Sequence, residues 1–115
     1  MLASFACCVV PGVALAQPTS SHSLSEAQLL LESCQSDAPT LRAMCLGYLA
    51  AISDEVRRGL AAGTIVDPVC PPAVVSLEAY RQAYIGFLAA RPGQLHGRPA
   101  AETVRASYLA AWACR

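Results

Sequence analysis

Apolar residues recur along this chain at three- and four-residue steps, the period of one face of an α-helix. Leu24, Ala27, Leu31 and Cys34 open the series, with Leu30 beside them. Ser23-Leu24-Ser25-Glu26 fits a capping box ahead of that run. A first helix is therefore predicted from about Leu24 to Cys34. Asp37 and Pro39 mark a turn, after which Leu41, Met44, Cys45, Tyr48, Ile52 and Val56 predict a second helix from about Leu41 to Leu60, stopped by Gly63.

Residues 64–75 (TIVDPVCPPAVV) carry three prolines and cannot be helical throughout, so they are read as a stiff, extended connector. Ser76 is a plausible N-cap for a third helix whose apolar face is Leu77, Tyr80, Tyr84, Phe87 and Leu88, ending at Arg91-Pro92-Gly93. After a loop over 92–98, Pro99 suits the first turn of a fourth helix bearing Val104, Tyr108, Ala111 and Trp112. No segment alternates with the period of a half-buried strand. The fold expected is all-α, a small antiparallel four-helix bundle. Its core would hold Leu31, Leu41, Met44, Tyr48, Ile52, Val56, Leu77, Tyr80, Tyr84, Leu88, Val104, Tyr108 and Trp112.

The first sixteen residues, MLASFACCVVPGVALA, are apolar and uncharged and end in the small-x-small pattern Ala14-Leu15-Ala16. They read as a signal peptide, followed by a polar lead-in over 17–23 and one helical domain over 24–115. The n-region lacks Lys and Arg, and the stretch is short for a membrane span. Export changes the reading of the cysteines. Removal of residues 1–16 discards Cys7 and Cys8 and leaves Cys34, Cys45, Cys70 and Cys114, an even set that implies disulfides in an oxidising compartment. Four cysteines allow three pairings.

With 115 residues there is room for one domain, and 55% hydrophobic against 14% charged residues excludes a disordered chain. Eight basic and eight acidic residues cancel, so no basic field exists for nucleic acid or an anionic membrane surface. The cysteines are spaced too widely for the close pairs of a structural zinc site, and no metal or cofactor is expected. His22 lies in the lead-in and His96 in a loop, and no Gly-x-Ser-x-Gly elbow occurs. Nothing here supports an enzyme; the profile is that of a small, stapled binding protein.

The cysteine-anchored segments carry a resemblance. Cys34 is followed after ten residues by Cys45-Leu46-Gly47-Tyr48-Leu49-Ala50-Ala51-Ile52-Ser53-Asp54. Then come Val69-Cys70-Pro71, Phe87-Leu88, Arg91-Pro92, His96, Pro99-Ala100-Ala101, Val104 and Ala111-Trp112-Ala113-Cys114. This succession resembles the Rap/Tai family of immunity proteins over about residues 27–115. It departs from the family in Ala51, where Gly is common, and Ala113, where Pro is common. The resemblance implies a periplasmic, helical, disulfide-bonded protein that binds and inhibits a peptidoglycan amidase effector of type VI secretion, acting as a homodimer. A second reading, a periplasmic chaperone or envelope stabiliser without a cognate effector, shares the architecture. The scarcity of titratable residues favours the first.

An inhibitor that plugs a cleft needs a pre-organised protrusion, because ordering a floppy loop costs affinity. The loop over 92–98 fits: Pro92 and Pro99 stiffen its ends, and Gln94, Leu95, His96 and Arg98 offer contacts, with Leu95 expected as an apolar residue at the tip. Hairpin geometry also suggests a pairing. Cys34 ends the first helix and Cys45 lies in the first turns of the second, while Cys70 precedes the third helix and Cys114 follows the fourth. Antiparallel helices would then give Cys34–Cys45 and Cys70–Cys114.

Overall fold

The computed structural model describes residues 24–65 and 69–114. The expected signal peptide over 1–16, the lead-in over 17–23 and the Ser23 end of the capping box lie outside the described residues. Four helices make up the described fold: α1 (Ala27–Gln35), α2 (Pro39–Ala62), α3 (Leu77–Ala89) and α4 (Ala100–Trp112). Every pair of helices is in contact, so one core is shared by all four.

Both disulfides pair as the hairpin geometry suggests: Cys34 with Cys45, and Cys70 with Cys114. The first ties the end of α1 to the second turn of α2. The second ties the connector to the end of α4, where Val69 and Ala113 form an antiparallel bridge and the Cys70 amide donates to the Trp112 carbonyl at 2.7 Å.

α1 begins later than the capping box predicts. Glu26 is its N-cap, in extended conformation, and its side chain makes no cap hydrogen bond. The reason is tertiary. Glu26 bridges Pro99, with the Ala100 amide donating to the Ser25 carbonyl at 2.7 Å. The first amides of α1 are satisfied by the loop before α4: Ala27 N–H donates to the Arg98 carbonyl and Gln28 N–H to the His96 carbonyl, each at 3.0 Å. Backbone carbonyls thus meet the donors a capping side chain would meet. At the other end of α1, Arg81 of α3 donates to the Cys34 carbonyl at 2.7 Å.

α2 starts two residues early, with Pro39 at its first position, and Gly63 closes it at φ 71°, a left-handed C-cap. Its buried face differs from the expected one. Cys45, Leu49, Ile52 and Val56 face the core, while Met44 is 38% exposed and Leu41 and Tyr48 are half-buried. Neighbouring helical residues point about 100° apart, so one strong anchor sets the rotation of the whole face. The Cys34 bridge pulls Cys45 inward, and α4 docks at Leu49. α3 and α4 follow the sequence more closely. Ser76 caps α3 by accepting from the Ala79 amide at 3.1 Å, and Tyr80, Tyr84 and Leu88 are buried. Leu77, in the first turn of α3, is 43% exposed and stands at the end of the core, and Trp112 is half-buried.

α4 buries Ala100, Thr103, Val104, Ser107 and Tyr108. The small residues let the other helices approach closely. Thr103 and Ser107 return their hydroxyls to their own helix, donating to the Ala100 and Val104 carbonyls at 2.8 and 2.7 Å, so no hydroxyl is stranded. Each core Leu or Val contributes about 1.5–3 kcal/mol by leaving water. The tyrosines add polar ties: the Tyr84 hydroxyl lies 3.2 Å from the Ala27 carbonyl and 3.0 Å from Thr103 Oγ1. Burial pushes the Tyr84 phenol up to about 12.

Candidate functional site

Helices α3 and α4 run antiparallel, so the loop over 90–99 sits at one end of the molecule and the Cys70 connector at the other. The loop is built by its turn residues. Gly93 adopts φ 81°, which L side chains rarely take, and this lets the chain reverse directly after Pro92. The Arg98 amide then donates to the Leu95 carbonyl at 3.0 Å, closing a second turn. Arg91 holds the root of the loop: its guanidinium lies 3.9 Å from the Phe87 ring centroid and donates to the Phe87 carbonyl at 3.0 Å.

The structure brings Gln94, Leu95, His96 and Arg98 together on this loop but gives them different surroundings. Gln94 is exposed. Arg98 is exposed and paired with Glu102 at 2.9 Å, one helical turn into α4. Leu95 does not stand free at the tip; it is half-buried and packs on the hydrophobic core. The physical reason is that the two turns fold the loop back over α1, where an apolar side chain gains more from the core than from water. His96 is half-buried, with its carbonyl committed to Gln28 N–H and its Nε2 enclosed without a protein partner. The same is true of Gln28 Oε1, whose amide nitrogen donates to Glu32 at 3.0 Å. The loop is therefore pre-organised by backbone bonds to α1, and it offers solvent a polar surface of Gln94, Arg98 and the edge of His96.

Exposed apolar surface lies elsewhere. Val74 on the connector is 90% exposed, and it borders a groove of about 340 Å³ with Ala50, Ser53, Arg57, Leu77 and Tyr80. Arg57 pins this connector by donating to the Pro72 carbonyl at 3.5 Å and to the Tyr80 hydroxyl at 3.3 Å. The Tyr80 hydroxyl also accepts from Ser53 at 2.9 Å. A sequence signal for this surface existed in Val74, which stands between a Pro pair and an N-cap with no helical face of its own, while its neighbour Val75 packs on the core. A second cleft, of about 290 Å³, runs between α2 and α4 over Val56, Ala106 and Leu109, with the Arg105–Glu55 ion pair (2.9 Å) at its rim.

The four cysteines among the described residues are consumed in disulfides, so none of these offers a thiolate to a substrate or a metal. Among the described residues, no group of three His, Cys, Asp or Glu is placed to hold a metal ion. No helix among them is long and apolar enough to cross a membrane.

The model of the family described as Rap1a immunity proteins matches residues 26–114. The chain belongs to the Rap1a immunity protein family. The match begins at the N-cap of α1 and ends at Cys114, so it takes in all four helices and both disulfides. No curated protein and no solved structure matches the chain significantly. For a Rap1a immunity protein the relevant chemistry is recognition of a secreted effector. The loop over 92–98 and the connector around Val74 are then two separate surfaces, one polar and one apolar, at opposite ends of the same stapled domain.

Proposed function

We propose that this protein is exported to the periplasm and binds and inhibits a peptidoglycan amidase effector delivered by type VI secretion. The observation that carries this reading is the Rap1a family match across the whole disulfide-stapled domain. In this reading Gln94, His96 and Arg98 make the polar contacts to the effector, and Leu95 holds the loop in shape from beneath. Inhibition is by occupancy of the enzyme's cleft, without any chemical step on this protein's side, and a homodimer could present two such loops at once.

The experiment is inhibition of an exported amidase encoded beside this protein, read as release of stem peptides from purified peptidoglycan. Stoichiometric loss of activity is expected. Undiminished hydrolysis at excess protein refutes the amidase reading. Calorimetry with the Gln94→Ala, His96→Ala and Arg98→Ala variants, singly and together, then places the contact. A triple variant that binds within about 0.5 kcal/mol of the parent, the scatter of inert surface changes, moves the contact away from this loop. Leu95→Ala should lower stability as well as affinity, which separates its role from that of the three polar residues.

A further inference from the structure

The two disulfides occupy opposite environments. Cys34 and Cys45 are both 0% exposed, enclosed by α1 and α2 within the core. Cys70 is exposed and Cys114 half-buried, at the end of the molecule where the connector meets the end of α4. Thiol–disulfide exchange requires a thiolate to approach one sulfur along the S–S axis, so access governs which bridge reacts. The core bridge can be reached only after α1 and α2 separate, an opening that costs a large part of the folding free energy. The outer bridge can be reached in the folded protein.

The surroundings of the outer bridge give its opening a consequence. The connector is joined to α4 by the disulfide, the Val69–Ala113 bridge and the Cys70 N–H to Trp112 carbonyl bond. Trp112 packs edge-on against Tyr80 at 5.1 Å and tilted against Tyr108 at 5.8 Å. Tyr80 is in turn one of the groups that hold the connector through Arg57. Cleavage at Cys70 removes the one covalent tie among the three that join the connector to α4, two residues from Trp112. α1, the Cys34–Cys45 bridge and the loop over 92–98 remain as they are.

We propose that Cys70–Cys114 is a thiol–disulfide exchange site, open to a dithiol reductant while Cys34–Cys45 stays oxidised. A thiolate of the dithiol attacks Cys70 Sγ and forms a mixed disulfide; the Cys70–Cys114 bond breaks, and Cys114 leaves as a thiolate that takes up a proton. The second thiol of the reductant attacks its own partner sulfur and expels Cys70 as a thiolate, which is also protonated. The protein's disulfide has then gained two electrons and two protons, and the dithiol has become a cyclic disulfide.

The test is exposure of the full, oxidised chain to dithiothreitol without denaturant, quenching with iodoacetamide at intervals, and peptide mapping of every cysteine. Trp112 is the chain's one tryptophan, so its fluorescence follows the same end of the molecule. Cys70 and Cys114 should be alkylated together at least about tenfold faster than Cys34 and Cys45, as expected when one pair reacts from the folded state and the other awaits opening. Trp112 emission should change with the fast phase, and far-ultraviolet circular dichroism should hold until the slow one. In the Cys34→Ala/Cys45→Ala variant the fast phase should persist. Equal alkylation rates for the two pairs, loss of helicity together with Cys70 alkylation, or a Trp112 signal that follows only the slow phase would each overturn the proposal.

Discussion

The hydroxyl of Tyr108, near the end of α4, donates to the carbonyl of Leu49 in the middle of α2 at 2.8 Å, across a separation of 59 residues. Both residues are buried, at 2% and 0% exposure. The bond joins the two helices whose rotation decides which face of α2 is inside. Burial holds the phenol protonated by pushing its pKa well above the ordinary tyrosine value. Tyr108→Phe keeps the ring, which lies 4.8 Å from that of Tyr80, and removes only the bond. Stability should fall by about 1 kcal/mol, the usual net worth of such a bond. Urea denaturation measures it; an unchanged midpoint would mean the bond contributes nothing.

Removing the disulfides should cost more. In the chain-entropy model the closures over separations of 11 and 44 residues contribute about 3 and about 4 kcal/mol. The paired substitution Cys34→Ala/Cys45→Ala also leaves space where two sulfurs packed in the core, so its measured loss should exceed the entropy figure. Cys70→Ala/Cys114→Ala, at the surface, should stay at or below its figure. Thermal melts of the two variants check each loss against its figure.

Gly59 is the place in α2 where a side chain does not fit. A Cβ there would come within 2.5 Å of Ile65 Cγ1, because the chain folds back over α2 after the left-handed Gly63. The Gly59 carbonyl also accepts from the amides of Thr64 and Ile65, at 2.9 and 3.2 Å. Gly59→Ala gains about 1 kcal/mol of helix propensity but overpacks a site where the cost is about 1–3 kcal/mol. A net loss is expected, read as a lower urea midpoint. Gly47→Ala, where a Cβ meets nothing, should raise it.

Acid should weaken the link between α3 and the end of α1. Hydrogen bonds from Arg81 and Gln82 lower the Glu78 carboxyl from 4.5 to about 2. Its folded pKa lies below the unfolded one, so its contribution is complete above pH 4.5 and is lost as the pH falls from there toward 2. Glu78→Gln should remove that part of the acid dependence, and the melting temperatures of variant and parent should converge near pH 2. Parallel curves across this range would show that Glu78 is not stabilised by Arg81.

Export predicts the mature start. Ala14-Leu15-Ala16 is the one good cleavage pattern in the apolar stretch over 1–16, so under the proposed export the protein recovered from a periplasmic extract should begin at Gln17. Intact mass decides it, and recovery of the uncleaved chain in the cytoplasm would count against export.

The helices, the connector and the cysteines that staple them are legible in the amino-acid sequence. Three- and four-residue spacing, the Ser76 cap, the Gly63 stop and the Pro-rich connector are local signals, and local steric and hydrogen-bonding rules suffice to read them. The pairing of Cys34 with Cys45 and of Cys70 with Cys114 was suggested by helix order together with an antiparallel arrangement of neighbours, and the structure has that arrangement. Helix rotation and the capping of α1, by contrast, are settled by contacts between distant elements. Met44 and Cys45 are both apolar neighbours on α2, and the choice between them needed the Cys34 sulfur and the Tyr108 hydroxyl, which come from other helices. The start of α1 was hidden for the same reason: its donors are met by the carbonyls of His96 and Arg98, some 70 residues away, since backbone carbonyls belong to every residue and leave no mark in the sequence. Leu95 turned inward because those same bonds fold its loop over the core.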